Sequence, residues 1–174
     1  MLLVVKVGWD EAGHTERIGR VLSRALEGRT YQVIEREKAV LRWCVRTRAE
    51  KEGTAVLFAV ALPKAGVSLS YVHLVSCLVR HHHCLAGCRG AVLVDGQGEF
   101  FTKKIGRELI FFANQAGCIF PGKPLVEATG SLYNFNTQAQ IQGLSNEEAY
   151  AVSAGRLVSK LLAFTRPDGT GKTK

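Results

Sequence analysis

The first 26 residues constrain the fold more than any other stretch of the chain. An apolar run, Leu2-Leu3-Val4-Val5-Lys6-Val7, leads into Gly8-Trp9-Asp10-Glu11-Ala12-Gly13-His14-Thr15-Glu16 and then into an amphipathic segment through Leu26. Within that segment Ile18, Val21, Leu22, Ala25 and Leu26 recur at the spacing of one helical face, and Gly28 is a natural stop. Strand, glycine-bracketed turn and helix in this order make the first half of a βαβ unit. At such a corner the free N–H groups and the dipole of the helix start favour an anion, so open α/β sheets hold phosphorylated ligands there.

The same alternation continues along the chain. Thr30 to Glu35 reads as a second strand, residues 37–52 as a short helix and turn ending at Gly53, and Thr54 to Val60 as a strand apolar enough to be buried on both faces. After Pro63 and Gly66, a helical pattern runs through Leu69, Val72, Leu74, Val75, Leu78 and Val79. Gly90 to Val94 is a fourth buried strand, ended by Asp95-Gly96-Gln97-Gly98, and Thr102 to Ala116 a helix with Ile105, Leu109, Phe112, Ala113 and Ala116 inward. Gly117 to Phe120 reads as the start of the fifth strand and residues 128–144 as a polar loop. Ser145-Asn146-Glu147-Glu148 has capping-box spacing and opens a last helix to about Phe164, with Tyr150, Ala154, Leu157, Val158, Leu161 and Leu162 on its buried side.

Five strands alternating with four or five helices imply a parallel sheet covered on both faces, because parallel neighbours need crossover connections of fixed hand. The expected architecture is an α/β three-layer sandwich with strand order 2-1-3-4-5, the flavodoxin-like arrangement. It forms one domain over residues 1–164, followed by a flexible polar tail, 165–174. The tail's Gly169-Thr170-Gly171-Lys172-Thr173 is not a phosphate loop of the Walker type, since Arg166 stands where that pattern needs glycine.

Composition narrows the function classes. The chain of 174 residues, 47% apolar and 22% charged, suits one ordinary globular domain. Its longest uncharged apolar stretch, Ala55 to Leu62, is far short of the roughly 20 residues a membrane helix needs. Lys6 interrupts the opening apolar run too early for a secretion signal, and a cytoplasmic location is expected. The net charge of +8 is uneven: residues 53–94 carry Lys64, Arg80 and Arg89 and no acid. Such a balance attracts anionic ligands at long range, but a nucleic-acid reading would rest on charge alone, and nucleic acid is not an expected partner. Arg17, Arg20 and Arg24 share one side of the first helix and read as a solvated face.

Five cysteines, Cys44, Cys77, Cys84, Cys88 and Cys118, are scattered and odd in number, which favours reduced thiols, with Cys77 and Cys118 as small core residues. His81-His82-His83-Cys84-Leu85-Ala86-Gly87-Cys88 holds good zinc ligands, but three consecutive histidines on a helix point in different directions and no second ligand pair is evident. The segment reads as a polar helix terminus, and no metal is expected. Ser68 and Ser70 lack a base partner and read as caps of the following helix. Trp43 reads as a core or interface residue, and the loop Gly130 to Gln138 as a lid, a subunit contact or a solvated connection.

In this order of elements the chain resembles the flavodoxin-like NAD(P)H-dependent FMN reductases over roughly residues 2–164. That family's first turn commonly reads Gly-Ser-Pro-Arg, then Gly-Asn-Thr at the helix start; Gly13-His14-Thr15 matches the second element, while Gly8-Trp9-Asp10-Glu11 stands in place of the first. Asp10 and Glu11 would repel a phosphate unless they point away. Its second cofactor loop, often Pro-Leu-Tyr followed by Ser-Leu-Pro-Ser, corresponds to Ala61-Leu62-Pro63-Lys64-Ala65-Gly66-Val67-Ser68-Leu69-Ser70, without the aromatic position. Asp95-Gly96-Gln97-Gly98-Glu99-Phe100 corresponds to the third. The resemblance implies FMN as cofactor, with Gly13, His14 and Thr15 around its phosphate. It places Leu62, Pro63, Lys64, Gly96, Gln97, Gly98 and Glu99 along the isoalloxazine and makes Trp9 a substitute ring wall. It further implies hydride transfer from NAD(P)H through the flavin, with no catalytic side chain needed, and a homodimer. The alternative is a non-enzymatic binding or assembly module on the same fold with an eroded flavin site.

Overall fold

A computed structural model describes residues 1–46, 51–64, 66–98 and 101–165. The sheet holds five parallel strands: β1 (Leu2–Val7), β2 (Tyr31–Ile34), β3 (Ala55–Leu62), β4 (Arg89–Gly96) and β5 (Leu125–Ala128). Their order is β2-β1-β3-β4-β5, the order expected from the sequence. The connecting elements are α1 (Trp9–Ala12), α2 (Glu16–Ala25), α3 (Glu37–Cys44), α4 (Leu69–Arg80), α5 (Phe101–Gln115), α6 (Asn136–Gln142) and α7 (Asn146–Thr165), with a 3-10 turn at Tyr133–Phe135.

Two cores follow from the two-residue period of the strands. Leu2, Val4, Leu57, Ala59, Ala91 and Leu93 face α2 and α7, where Ile18, Val21, Leu22, Tyr150, Ala154 and Val158 are buried against them. Leu3, Val5, Val7, Phe58, Val60, Val92 and Val94 face α3, α4 and α5 and meet Trp43, Leu74, Leu78, Ile105 and Leu109. All eight residues of β3 are buried, the mark of a central strand covered on both sides. The apolar stripe of α2 is buried as its spacing demands, and the capping box of α7 is formed: the Glu148 amide donates to Ser145 Oγ at 3.2 Å and the Ser145 amide to Glu148 Oε2 at 2.8 Å. On α4 the helical pattern holds, but Leu69, Val72 and Val79 are exposed and Tyr71 and Cys77 take inward positions.

Two expectations shift. Gly117 to Phe120 is not the fifth strand: it makes a single parallel bridge, Arg89 to Ile119, and Pro121 to Pro124 then interrupts it. The strand proper is Leu125–Ala128, in register with Val92–Asp95. Residues 128–144, read as a polar loop, contain the 3-10 turn and α6, because Phe135 and Ala139 are buried under α7 and give this segment a packed side. The tail from 166 onward lies outside the described residues.

Candidate functional site

The carboxyl edge of the sheet is built around the β1 corner. Gly8 has φ 75°, and a Cβ there would stand 2.5 Å from the Ala61 carbonyl oxygen and 2.6 Å from Ser68 Oγ, so only glycine lets the β1 and β3 corners meet this closely. The chain then turns through α1. Trp9 donates its Nε1–H to the Ala59 carbonyl at 2.9 Å and lies 4.4 Å beneath Lys6 Nζ, with its ring against the core shared by α2 and α7.

Glu11 reaches across to the start of α4. Its carboxylate accepts the Leu69 amide at 2.6 Å, the Ser70 amide at 2.9 Å and the Ser70 hydroxyl at 2.6 Å. Burial works against the charge, but these bonds outweigh it and hold the group below the ordinary carboxylate range. This acid of the first turn thus caps α4 rather than facing the start of α2, while Asp10 is exposed. Ser68 caps α4 as expected, accepting the Tyr71 amide at 3.1 Å.

A pocket of about 360 Å³ opens at the N-terminus of α2, lined by His14, Glu16, Arg17, Gln97 and Gly130. Its walls are tied by Arg17. This guanidinium grips Asp95 with two parallel bonds, Nε to Oδ2 at 3.0 Å and Nη2 to Oδ1 at 2.7 Å, and donates to the carbonyls of Thr129 and Gly130, each at 3.0 Å. Asp95 is only 3% exposed and is the penultimate residue of β4; the guanidinium, despite partial burial, is held more firmly protonated by that carboxylate. The buried hydroxyl of Tyr150 on α7 is pushed well above the normal phenol range by burial and by the Asp95 charge. Gly130 lies so near that a Cβ would stand 2.5 Å from the Gln97 carbonyl oxygen. One cation therefore fastens the corners of β1, β4 and β5.

One group of this pocket, and one beside it, stand out. His14 Nε2 is buried without a hydrogen-bond partner, and the Thr15 hydroxyl, at the cap position of α2, does not cap its own helix. Gly13 stands in open space.

The other candidate residues are distributed around the same edge. Gln97 is exposed and joins His14 in the pocket; Gly98 lies near the β3 corner, its Cβ position 3.8 Å from the Lys64 carbonyl oxygen. Pro63 is half-buried and Lys64 exposed, whereas the Leu62 side chain is buried in the core beneath α4 and α5, and Gly96 is buried. Trp9 is not among the pocket's lining residues. Glu99 lies outside the described residues.

Arg17 and Asp95 are the pair that sequence reasoning missed. The three-arginine stripe of α2 is not one solvated face: the Arg17 side chain is only 20% exposed, and Arg20 pairs with Glu147 of α7 at 2.8 Å. The available signal was an acid ending an apolar strand beside the first turn of a helix that carries an arginine.

The structure places the fold among known ones. It superposes on a flavodoxin from Streptococcus pneumonia TIGR4 with TM-score 0.58 and 16% identity, covering 94% of this chain and 97% of that one. The fold is that of the flavodoxins. A short-chain flavodoxin associated with a non-canonical PDU bacterial microcompartment gives TM-score 0.56 at 12% identity, covering 95% and 97% of the two chains. A WrbA-like flavodoxin from Agrobacterium tumefaciens gives 0.53 at 12% identity, covering 93% and 96%. No family model and no curated protein sequence matches the chain.

Proposed function

We propose that the pocket at the start of α2 takes the phosphate of FMN and that the chain is a flavin-dependent NAD(P)H oxidoreductase. The observation that carries this reading is the unpartnered His14 Nε2 beside a Thr15 hydroxyl free of capping duty, at the positive end of a ten-residue helix. These groups fit a phosphate. The acid that argued against one, Glu11, is engaged instead by the Leu69 and Ser70 amides at the start of α4.

In this reading Gly13, His14 and Thr15 hold the phosphate. The backbone of Leu62, Pro63 and Lys64 and the small residues Gly96 to Gly98, with Gln97, border the ring. Trp9 fixes the β1 corner. Bound FMN would supply the hydride and electron chemistry, and the chain binds it, orients it and limits water around it. Arg17 acts by positioning: its bonds to Asp95, Thr129 and Gly130 keep the pocket walls in register. NAD(P)H as donor and a homodimer belong to the same reading, supported by the family resemblance.

Titration of FMN fluorescence with the purified chain tests it, with riboflavin in parallel. Quenching by the protein that is strong for FMN, weak for riboflavin and competed by inorganic phosphate is expected. Equal or absent quenching of both flavins would leave the non-enzymatic binding module as the better reading.

A further inference from the structure

The α4 helix is apolar on two sides. Tyr71, Leu74, Cys77 and Leu78 are buried toward the sheet, while Leu69, Val72 and Val79 are exposed on the outer side. Leu69, Val72, Ser76 and Val79 recur at intervals of three, four and three residues, the spacing of a seam that packs against another helix. A surface helix ordinarily turns charged residues to water on that side, yet Arg80 is the only Lys, Arg, Asp or Glu in α4.

Beside the stripe, a groove of about 620 Å³ runs between α3 and α4, and Ser76 borders both. Leu41, Val45 and Cys77 give the groove apolar walls, and Arg42 and Arg80 line it with cations. Among the described residues neither arginine has an ion-pair partner. Glu37, the acid in the lining, already meets His73 Nδ1 at 2.6 Å.

The charge of the two walls is one-sided. Residues 36–46 and 69–83 carry Arg36, Lys38, Arg42, Arg46 and Arg80 against Glu37 alone. His81, His82 and His83 follow Arg80, are exposed, and bring no negative charge. An exposed apolar stripe rimmed by polar groups marks an interaction surface, and the charge around it selects what can settle there.

We propose that the α3–α4 face is a docking surface for an acidic amphipathic helix of another protein. The apolar side of that helix packs along Leu69, Val72 and Ser76 and leans into the groove beside Leu41 and Val45, and its carboxylates pair with Arg42 and Arg80. Burial of the stripe supplies affinity, and the cations set the choice of partner and speed its arrival. A second copy offering the same face would set like charges against like, so the face is not self-complementary. A concave channel between two helices accepts a ridge of side chains, which a helix carries and a bilayer surface lacks.

The test uses the full chain and a fluorescein-labelled synthetic peptide of about 20 residues, with Leu along one helical face and Glu elsewhere. A second peptide carries Lys in place of Glu. Anisotropy titration should show saturable binding of the Glu peptide that weakens with salt, and binding of the Lys peptide at least about tenfold weaker. Two matched pairs of variants separate this face from the general positive charge of the chain. Val72→Glu should weaken the Glu peptide by about tenfold or more, whereas Ile141→Glu, which adds the same charge at an exposed apolar position of α6, should not. Arg80→Gln should likewise weaken it more than Arg156→Gln on α7. All of these positions are exposed, and circular dichroism checks that each variant keeps its helices. Absent binding of the Glu peptide, equal binding of the two peptides, or equal losses within either pair would overturn the proposal. So would a dimer in sedimentation that Val72→Glu dissociates, which would make a second copy the occupant. Flotation with phosphatidylglycerol vesicles that Val72→Glu abolishes would overturn it in favour of a membrane surface.

Discussion

Replacing Arg17 by alanine isolates the contribution of the ion pair that fastens the site. Asp95 is 3% exposed and accepts two charge-assisted bonds from Arg17, so the substitution leaves a buried carboxylate facing only the Tyr150 region. Breaking one side of a buried pair costs about 3–5 kcal/mol, most of it from stranding the remaining charge. Against a typical domain stability of about 5–15 kcal/mol this is a large loss. With a urea slope near 2 kcal/mol per molar, the unfolding midpoint should fall by about 1.5–2.5 M. Lysine should not restore it, because an ammonium cannot reproduce the two parallel bonds to the carboxylate. Replacing both partners, Arg17→Met with Asp95→Leu, removes the stranded charge, and the double variant should be more stable than Arg17→Ala. Urea unfolding followed by circular dichroism measures all three. A midpoint shift below about 0.5 M for Arg17→Ala, equivalent to about 1 kcal/mol at the same slope, would refute the argument, as would a double variant less stable than the single.

Other consequences follow from the same geometry. Gly8→Ala puts a Cβ 2.5 Å from the Ala61 carbonyl at φ 75° and should cost more than about 1 kcal/mol, read as a lower melting temperature; unchanged stability would contradict the close approach of the two corners. Glu11→Gln weakens the cap of α4 and should cost about 1 kcal/mol in urea at neutral pH. Glu11 is held below the ordinary carboxylate range, so its contribution is fully present above that range and is lost as pH falls through the lowered value; the two proteins should therefore converge in stability under acid conditions. Leu93→Ala empties a fully buried position between β4 and α7 and should cost about 2–5 kcal/mol, again by urea unfolding.

The parts of the fold written in local pattern were legible, and the parts set by tertiary partners were not. The spacing of Ile18, Val21, Leu22 and Ala25 specified α2, and the unbroken apolar run of β3 specified a central strand, because period and burial are directly coupled there. Gly117 to Phe120 was misleading: it is as apolar as a strand, but the two prolines beyond it shift regular pairing to Leu125–Ala128. The segment containing α6 has too little apolar periodicity to announce a helix and is ordered by Phe135 and Ala139 under α7.

At the site, the corner itself was visible from glycine placement, and Ser68 as a cap from its residue type. The direction taken by Glu11 was not, since it depends on how close the β1 and β3 corners stand. Arg17 looked like part of a charged face until Asp95, 78 residues away, was brought beside it.

The most direct test of the central claim is amide chemical-shift mapping of the isotopically labelled chain during addition of FMN. The largest shifts are expected at Gly13, His14 and Thr15, with a second group at Gly96, Gln97 and Gly98, and the first group alone should respond to inorganic phosphate. Shifts confined to residues away from these two corners, or none at either corner, would contradict a phosphate site at the start of α2.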